Sequence, residues 1–169
     1  NNEPSPTTKV EVPNADLIET AVPTANQGLK YDGTEKTGVD ENPAYTLTGH
    51  KETAAGNYQA TATLNPGYVW ADGTSDPKTI DWTIAKGDQS APTGLKGVKP
   101  TTYNGTDGKI QGVDATMEYR KEGETDFKPI TGTEIENLGP GKYEVRKKGD
   151  ANNEPSPTTK VEVPNADLI

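Results

Sequence analysis

The sequence predicts an all-β fold made of two small antiparallel β-sandwich modules in series, which together form one period of a tandem array. Three observations predict it. Apolar and polar residues alternate with a period of two in almost every periodic stretch of the sequence. Turn signals separate these stretches at intervals of about eight to twelve residues. Finally, residues 1–18 return unchanged as residues 152–169.

The repeat sets the limits of the period. Its two copies begin at Asn1 and Asn152, and no position differs between them. An unchanged copy indicates recent duplication within a longer array. We therefore expect residues 1–18 to be the end strand and joint of a preceding repeat, and residues 165–169 to start the next one. Val10 and Val12 would face the core of a preceding module, so residues 1–12 should either extend freely or fill a gap in a neighbouring molecule.

The first module is predicted to span residues 19–86. Apolar side chains alternate from Tyr58 to Leu64 and again from Ile80 to Ile84, as they do in strands with one buried face. Asp32-Gly33, Asn65-Pro66-Gly67 and Asp72-Gly73 supply the turns. We expect Trp70, Trp82 and Tyr58 to fill the core of this module.

The second module is predicted to span residues 91–164, after a short polar linker at residues 87–90. The same alternation places one face of each strand inward, and Asn104-Gly105 and Gly139-Pro140-Gly141 provide turns. The predicted core residues are Met117, Tyr119, Leu138, Tyr143 and Val163. The joints between repeats are expected at Pro13-Asn14 and Pro164-Asn165, because proline restricts the chain there.

The composition excludes several function classes. The formal net charge is −9, and no Lys/Arg stripe is present to neutralise phosphates, so nucleic acid is not an expected partner. No apolar run approaches the length of a membrane span, so we expect no membrane insertion by this segment. The chain has no cysteine, which fits a reducing compartment or an exported bacterial surface protein equally well.

The sequence predicts no catalytic site, and the chain is not expected to be an enzyme. His50 is the single histidine, in a turn-like stretch where an exposed loop position is expected. No cofactor is expected, with calcium as the alternative: Asp16, Glu19 and Asp167 fall at the joints, where carboxylates could provide oxygen ligands. The competing interpretation is that such aspartates simply form turns.

Parts of both modules resemble known domains. Residues 137–146, Asn-Leu-Gly-Pro-Gly-Lys-Tyr-Glu-Val-Arg, resemble the corner between the fifth and sixth strands of fibronectin type III and related Ig-like domains, and residues 91–95 and 118–121 resemble their first and third strands. Residues 29–34, 55–64 and 80–86 resemble short Ig-like repeats of Gram-positive bacterial surface proteins. The fold is thereby expected to be Ig-like and fibronectin-like.

The resemblance implies a structural role at the bacterial cell surface or cell wall. In such families these modules form an extended stalk that projects a distal adhesive domain. The expected partners are neighbouring copies of the repeat, with any host ligand bound by another part of the protein. Two alternatives remain: a binding module for a host glycan or protein, and a self-assembling filament subunit that donates an end strand such as Thr158–Val163.

Overall fold

The computed structural model of the chain describes residues 2–11 and 16–169. Across these residues the fold is all-β, with fourteen strands and no helix, as the alternating sequence predicts. The chain divides into two compact units. The first comprises Asn1–Gln27, Thr37–Glu52 and Tyr58–Trp82, and the second comprises Gly28–Lys36, Thr53–Asn57 and Thr83–Ile169.

The first half of the chain contributes seven strands, which are β1 (Ile18–Thr20), β2 (Lys36–Thr37), β3 (Tyr45–Thr48), β4 (Lys51–Glu52), β5 (Gly56–Leu64), β6 (Tyr68–Trp70) and β7 (Lys78–Ile84). Strands β3, β5 and β7 form a sheet with β5 at its centre, while β1 pairs with β6 and β2 with β4. The β1–β6 pair is parallel, which differs from the antiparallel prediction. Turn signals predict hairpins between consecutive strands and carry no information on a strand that pairs far away in sequence.

The core of the first unit forms around its two tryptophans. Trp70 and Trp82 are buried together with Val39, and both indole N–H groups donate to backbone oxygens, Trp70 to Asp76 at 2.7 Å and Trp82 to Gly49 at 2.9 Å. A buried indole is stable only when its polar N–H is paired. The prediction that both tryptophans are core residues is confirmed.

The second half of the chain contributes another seven strands, which are β8 (Lys96–Val98), β9 (Gly108–Gln111), β10 (Met117–Lys121), β11 (Lys128–Pro129), β12 (Glu134–Leu138), β13 (Gly141–Lys147) and β14 (Thr159–Val163). They form a four-stranded sheet in the order β11-β10-β13-β14 and a three-stranded sheet in the order β12-β9-β8. Both sheets contribute side chains to one apolar core, which contains Ile110, Val113, Met117, Ile130, Ile135, Leu138, Tyr143, Val145, Val161 and Val163. This arrangement is β-sandwich-like.

The predicted alternation holds along the longest strands. Ile80, Trp82 and Ile84 are buried while their neighbours in β7 are exposed or half-buried. Two predicted core residues differ from expectation, because Tyr58 and Tyr119 are only half-buried. Each lies at the margin of a core: the Tyr58 ring stacks 4.9 Å from the Trp82 ring, and Tyr119 packs against the core of the second unit. Their hydroxyl groups favour a position that reaches water.

Candidate functional site

The repeated sequence has two different structures in the one chain. In the copy at residues 152–169, Thr159–Val163 form strand β14, and Val161 is 7% exposed. In the copy at the start of the chain, residues 2–11 lie outside any strand and are all exposed, and Val10, which corresponds to Val161, is 81% exposed. The local sequence is the same, so the difference arises from the surface that the second copy meets.

That surface includes the edge of β13. Strand β14 pairs antiparallel with it, with Val163 opposite Gly141, Val161 opposite Tyr143 and Thr159 opposite Val145. Period-two alternation then directs Val161 and Val163 into the core and leaves Glu162 outside. Burial of two valines contributes on the order of 3–6 kcal/mol of hydrophobic free energy.

Two glycines allow β14 to approach the other sheet. A Cβ atom at Gly97 in β8 would lie 1.8 Å from the carbonyl oxygen of Glu162, and a Cβ atom at Gly108 in β9 would lie 2.8 Å from Cγ1 of Val163. A glycine within a strand commonly marks such a close approach. The edge of β13, Gly97 and Gly108 together form the surface that receives the repeated sequence, and we call it the closing slot.

Ser156, upstream of β14, and Thr159, its first residue, fix the segment in the closing slot. Ser156 is 4% exposed; its peptide N–H donates to the Lys147 carbonyl at 3.1 Å, and its hydroxyl oxygen accepts the Lys147 N–H at 2.8 Å. The Thr159 hydroxyl donates to the carbonyl of Pro92 at 2.5 Å. The Ser156 contacts continue the pairing with β13 past the last residue pair of the ladder, and the Thr159 contact adds a hydrogen bond to Pro92, so that the position of the segment along the slot is fixed.

The beginning of the second copy is held by the linker of the second unit. The Gly87 N–H donates to the Asn152 carbonyl, and the Glu154 N–H donates to the Gly87 carbonyl, both at 2.8 Å. Asn152 also accepts the Ala55 N–H through its side chain at 3.0 Å. Gly87, the first residue of the predicted polar linker at residues 87–90, therefore pairs with the start of the repeated sequence.

Asp150 organises the turn that leads into this pairing. Its carboxylate accepts the peptide N–H groups of Asn152 and Asn153 at 2.8 and 2.7 Å. These two backbone hydrogen bonds lower the pKa of Asp150 below its ordinary value. A short carboxylate side chain that bonds the backbone two residues ahead is a common turn device.

The structure describes only some of the residues that were predicted to form the joints. Pro13 and Asn14 lie outside the described residues, as does Val12. In the second copy, Pro164 is exposed and Asn165 is half-buried, directly after β14.

A tyrosine hydrogen bond closes the corner before β13. The Tyr143 hydroxyl donates to the carbonyl of Gly139, four residues upstream, at 2.8 Å. Asn137 just before it adopts a positive φ of 61°, a conformation that asparagine tolerates better than most residues. Burial of the ring raises the pKa of Tyr143. This geometry holds the start of β13, and with it one end of the closing slot.

The carboxylates proposed for calcium are separate and exposed. Asp16 precedes β1, Glu19 points outward from β1, and Asp167 follows β14, all of them exposed. Across residues 2–11 and 16–169, no three acidic, histidine or cysteine side chains gather closely enough to hold a metal ion. Calcium at the joints stays a prediction.

Two aspartates in turns each form an ion pair with a lysine of the same chain. Oδ1 of Asp72 accepts the N–H and hydroxyl of Thr74, and Oδ2 lies 2.8 Å from Lys78 Nζ. Asp32 repeats the arrangement with Thr34 and with a lysine ammonium 2.7 Å away. The lysine hydrogen bond is the main cause that holds the pKa of each carboxyl well below its usual range. Both aspartates thus act as turn formers.

His50 differs from the exposed loop position that was predicted. Its side chain is only 15% exposed, and its Nε2 atom lies 3.2 Å from Oε1 of Glu41. The His50 carbonyl accepts the N–H of Gly38, which lies against the Trp82 ring. His50 is therefore a structural residue beside the first core.

Sequence reasoning missed an arginine–aromatic cluster on the outer face of the second unit. Two guanidinium groups lie over the Phe127 ring, that of Arg120 at 4.3 Å and that of Arg146 at 3.7 Å from the ring centroid. The hydrogen bond from Arg120 lowers the pKa of Glu144, and Arg146 bonds Glu118 at 2.7 Å. Stacking of this kind fixes the β10–β11 hairpin. The sequence carries a sign of this cluster, because β10 and β13 both contain Glu-x-Arg. Antiparallel pairing places each glutamate of one strand opposite an arginine of the other.

Comparisons with protein-family models and with curated proteins find no match to this chain. Within the described residues, there is also no helix of the length and apolar character needed to cross a lipid bilayer.

Proposed function

We propose that this chain is a structural repeat of an extracellular bacterial surface protein, where it forms an extended stalk that projects a distal adhesive domain. One observation carries the proposal. The sequence that opens the chain is the sequence that, at its second occurrence, provides the closing strand β14. A segment that completes one period and leads into the next is what a tandem array of stacked units requires.

Two features support modules of the Ig-like and fibronectin-like class. The hydrogen bond from Tyr143 to Gly139 resembles the tyrosine corner of such domains. The four-stranded and three-stranded sheets share one core, as in a seven-stranded sandwich of that class.

The composition supports an exposed, non-catalytic role. A net charge of −9 favours a well-hydrated surface. With no cysteine in the chain, stability depends on small apolar cores and on side-chain clusters such as the one around Phe127. Neighbouring copies of the repeat are the proposed partners, and a host ligand would bind another part of the protein.

The experiment compares recombinant chains of one, two and three periods by small-angle X-ray scattering. A stalk predicts a maximum dimension that increases by a constant step with each added period. A maximum dimension that grows only as the cube root of mass would mean that the periods pack into a compact particle. That result would contradict the stalk. Antibodies against the chain should also label intact cells of the source organism, and labelling that required permeabilised cells would contradict surface display.

A further inference from the structure

The exposed residues 2–11 and the packed residues 153–162 are the same sequence, and within the described residues it is the second copy that fills the closing slot. We propose that residues 2–11 are a donor strand for the closing slot of a second copy of this chain, so that separate molecules join head to tail. Within an array the same segment would close the preceding repeat, and pairing between separate chains uses the same contacts; it does not depend on where the protein is displayed.

The contacts expected between two molecules follow from those within one. Three residues that the closing slot holds by a side chain have their counterparts in the exposed copy: Ser5 for Ser156, Thr8 for Thr159 and Val10 for Val161. In register, Val10 of one molecule would lie opposite Tyr143 of the other, and Glu11 opposite Lys142, as Val161 and Glu162 do. The side-chain fit of the two copies is therefore equal.

Exposure of the first copy favours this pairing. Val10 is among the most exposed large apolar residues of the described chain, and insertion would bury it as fully as Val161. An exposed strand edge or end strand is the usual site of pairing between chains. The joined molecules would use two different surfaces, so the association is heterologous and does not close on itself.

The copy at residues 152–169 belongs to the same chain as the slot and therefore normally occupies it. With equal contacts, the outcome depends on effective concentration, which is about millimolar for a segment on a short tether. At micromolar chain concentration, the chain's own segment is thus favoured by on the order of 1,000-fold. Head-to-tail joining becomes visible when the chain's own strand is weakened and the exposed copy is left intact.

The repeat supplies a matched set of variants for the test. Val161→Asp places a carboxylate at a buried position of β14 and weakens that strand, while the closing slot keeps its sequence. We expect this variant to associate, with its weight-average mass at about 100 µM at least twofold above the monomer in sedimentation velocity. Val10→Asp alone should behave as the unsubstituted chain. The double variant should not associate, because both copies then carry the charge.

A synthetic peptide of residues 1–12 serves as the probe. Added in excess to the Val161→Asp variant, it should cap the slot, dissolve the assemblies into one-to-one complexes and raise the melting temperature. The same peptide with aspartate at position 10 is the control and should do neither. If Val161→Asp unfolds the second unit, restoration of its circular dichroism by the unsubstituted peptide still tests the slot.

A disulfide reports the register. Because the chain has no cysteine, Glu11→Cys with Lys142→Cys in the Val161→Asp background should give disulfide-linked ladders on mild oxidation. Glu3→Cys with Lys142→Cys is the out-of-register control. The proposal is overturned if Val161→Asp stays monomeric at about 100 µM, if the double variant associates equally, or if an unfolded Val161→Asp is not restored by the peptide.

Discussion

Asn104 and Asn165 form a reciprocal amide pair at the end of β14. The peptide N–H of Asn104 donates to Asn165 Oδ1 at 2.8 Å, and Asn165 Nδ2 donates to Asn104 Oδ1 at 2.7 Å. Asn104 adopts a positive φ of 57° within a turn closed by the hydrogen bond from Gly105 to Thr102. The first residues after the closing strand are thus bonded to the module that the strand completes.

Replacement of Asn165 by alanine removes both hydrogen bonds of this pair. We expect a loss of about 0.5–1 kcal/mol in the free energy of unfolding, since the pair is open to water on one side. Urea unfolding followed by circular dichroism measures it. Asn104→Gly is the control: it removes one side chain but keeps the left-handed backbone without strain. Because the peptide N–H at position 104 can still donate to Asn165, a loss in Asn104→Gly equal to that in Asn165→Ala would contradict a contribution from that hydrogen bond.

Gly97→Ala should destabilise the second unit strongly. The new Cβ atom would lie 1.8 Å from the Glu162 carbonyl oxygen, which belongs to backbone and cannot rotate away. Overpacking of this kind costs about 1–3 kcal/mol and sometimes more. The midpoint of urea unfolding should fall accordingly. Gly132→Ala is the matched control, because a Cβ there meets no atom within 4 Å, and an equal loss in both variants would contradict the close approach of β14.

Tyr143→Phe should cost about 1 kcal/mol, because a buried hydroxyl then no longer donates to Gly139 and the carbonyl loses its partner. The ring and its packing remain. Thermal unfolding checks the loss, with Tyr103→Phe as the control, since the Tyr103 side chain is about half-exposed. A Tyr143→Phe variant as stable as the unsubstituted chain would show that the corner is held by packing alone.

Acid should destabilise the protein through its turn aspartates. Lysine and threonine hydrogen bonds hold the pKa of Asp72 well below its ordinary value of 3.8. The unfolded chain therefore binds the proton first, so the stabilisation is present above about pH 4 and is lost as pH falls through the lower, folded value. The slope of stability against pH below 4 should be shallower in Asp72→Asn. An unchanged slope would mean that the turn does not hold the charged form.

Strands with one buried face and one face in solvent could be predicted from the sequence. Ile80, Trp82 and Ile84 alternate with polar residues, and this period is a property of the local chain. The partner of β1 was not predictable, because alternation says which face is buried and not which distant strand lies beside it. Gly97 lies in a strand pattern where a glycine suggests a close approach, but the sequence does not tell which backbone approaches. For the same reason the pairing of Gly87 with Asn152 required the structure.

The position of the two tryptophans gives the molecule an optical asymmetry. Trp70 and Trp82 are the chain's only tryptophans, and both belong to the first unit. Fluorescence excited at the red edge of the indole band therefore reports on that unit alone, whereas far-ultraviolet circular dichroism reports on both. Damage to the closing slot should leave the tryptophan emission spectrum unchanged while the circular dichroism changes, so one sample distinguishes which of the two units has melted.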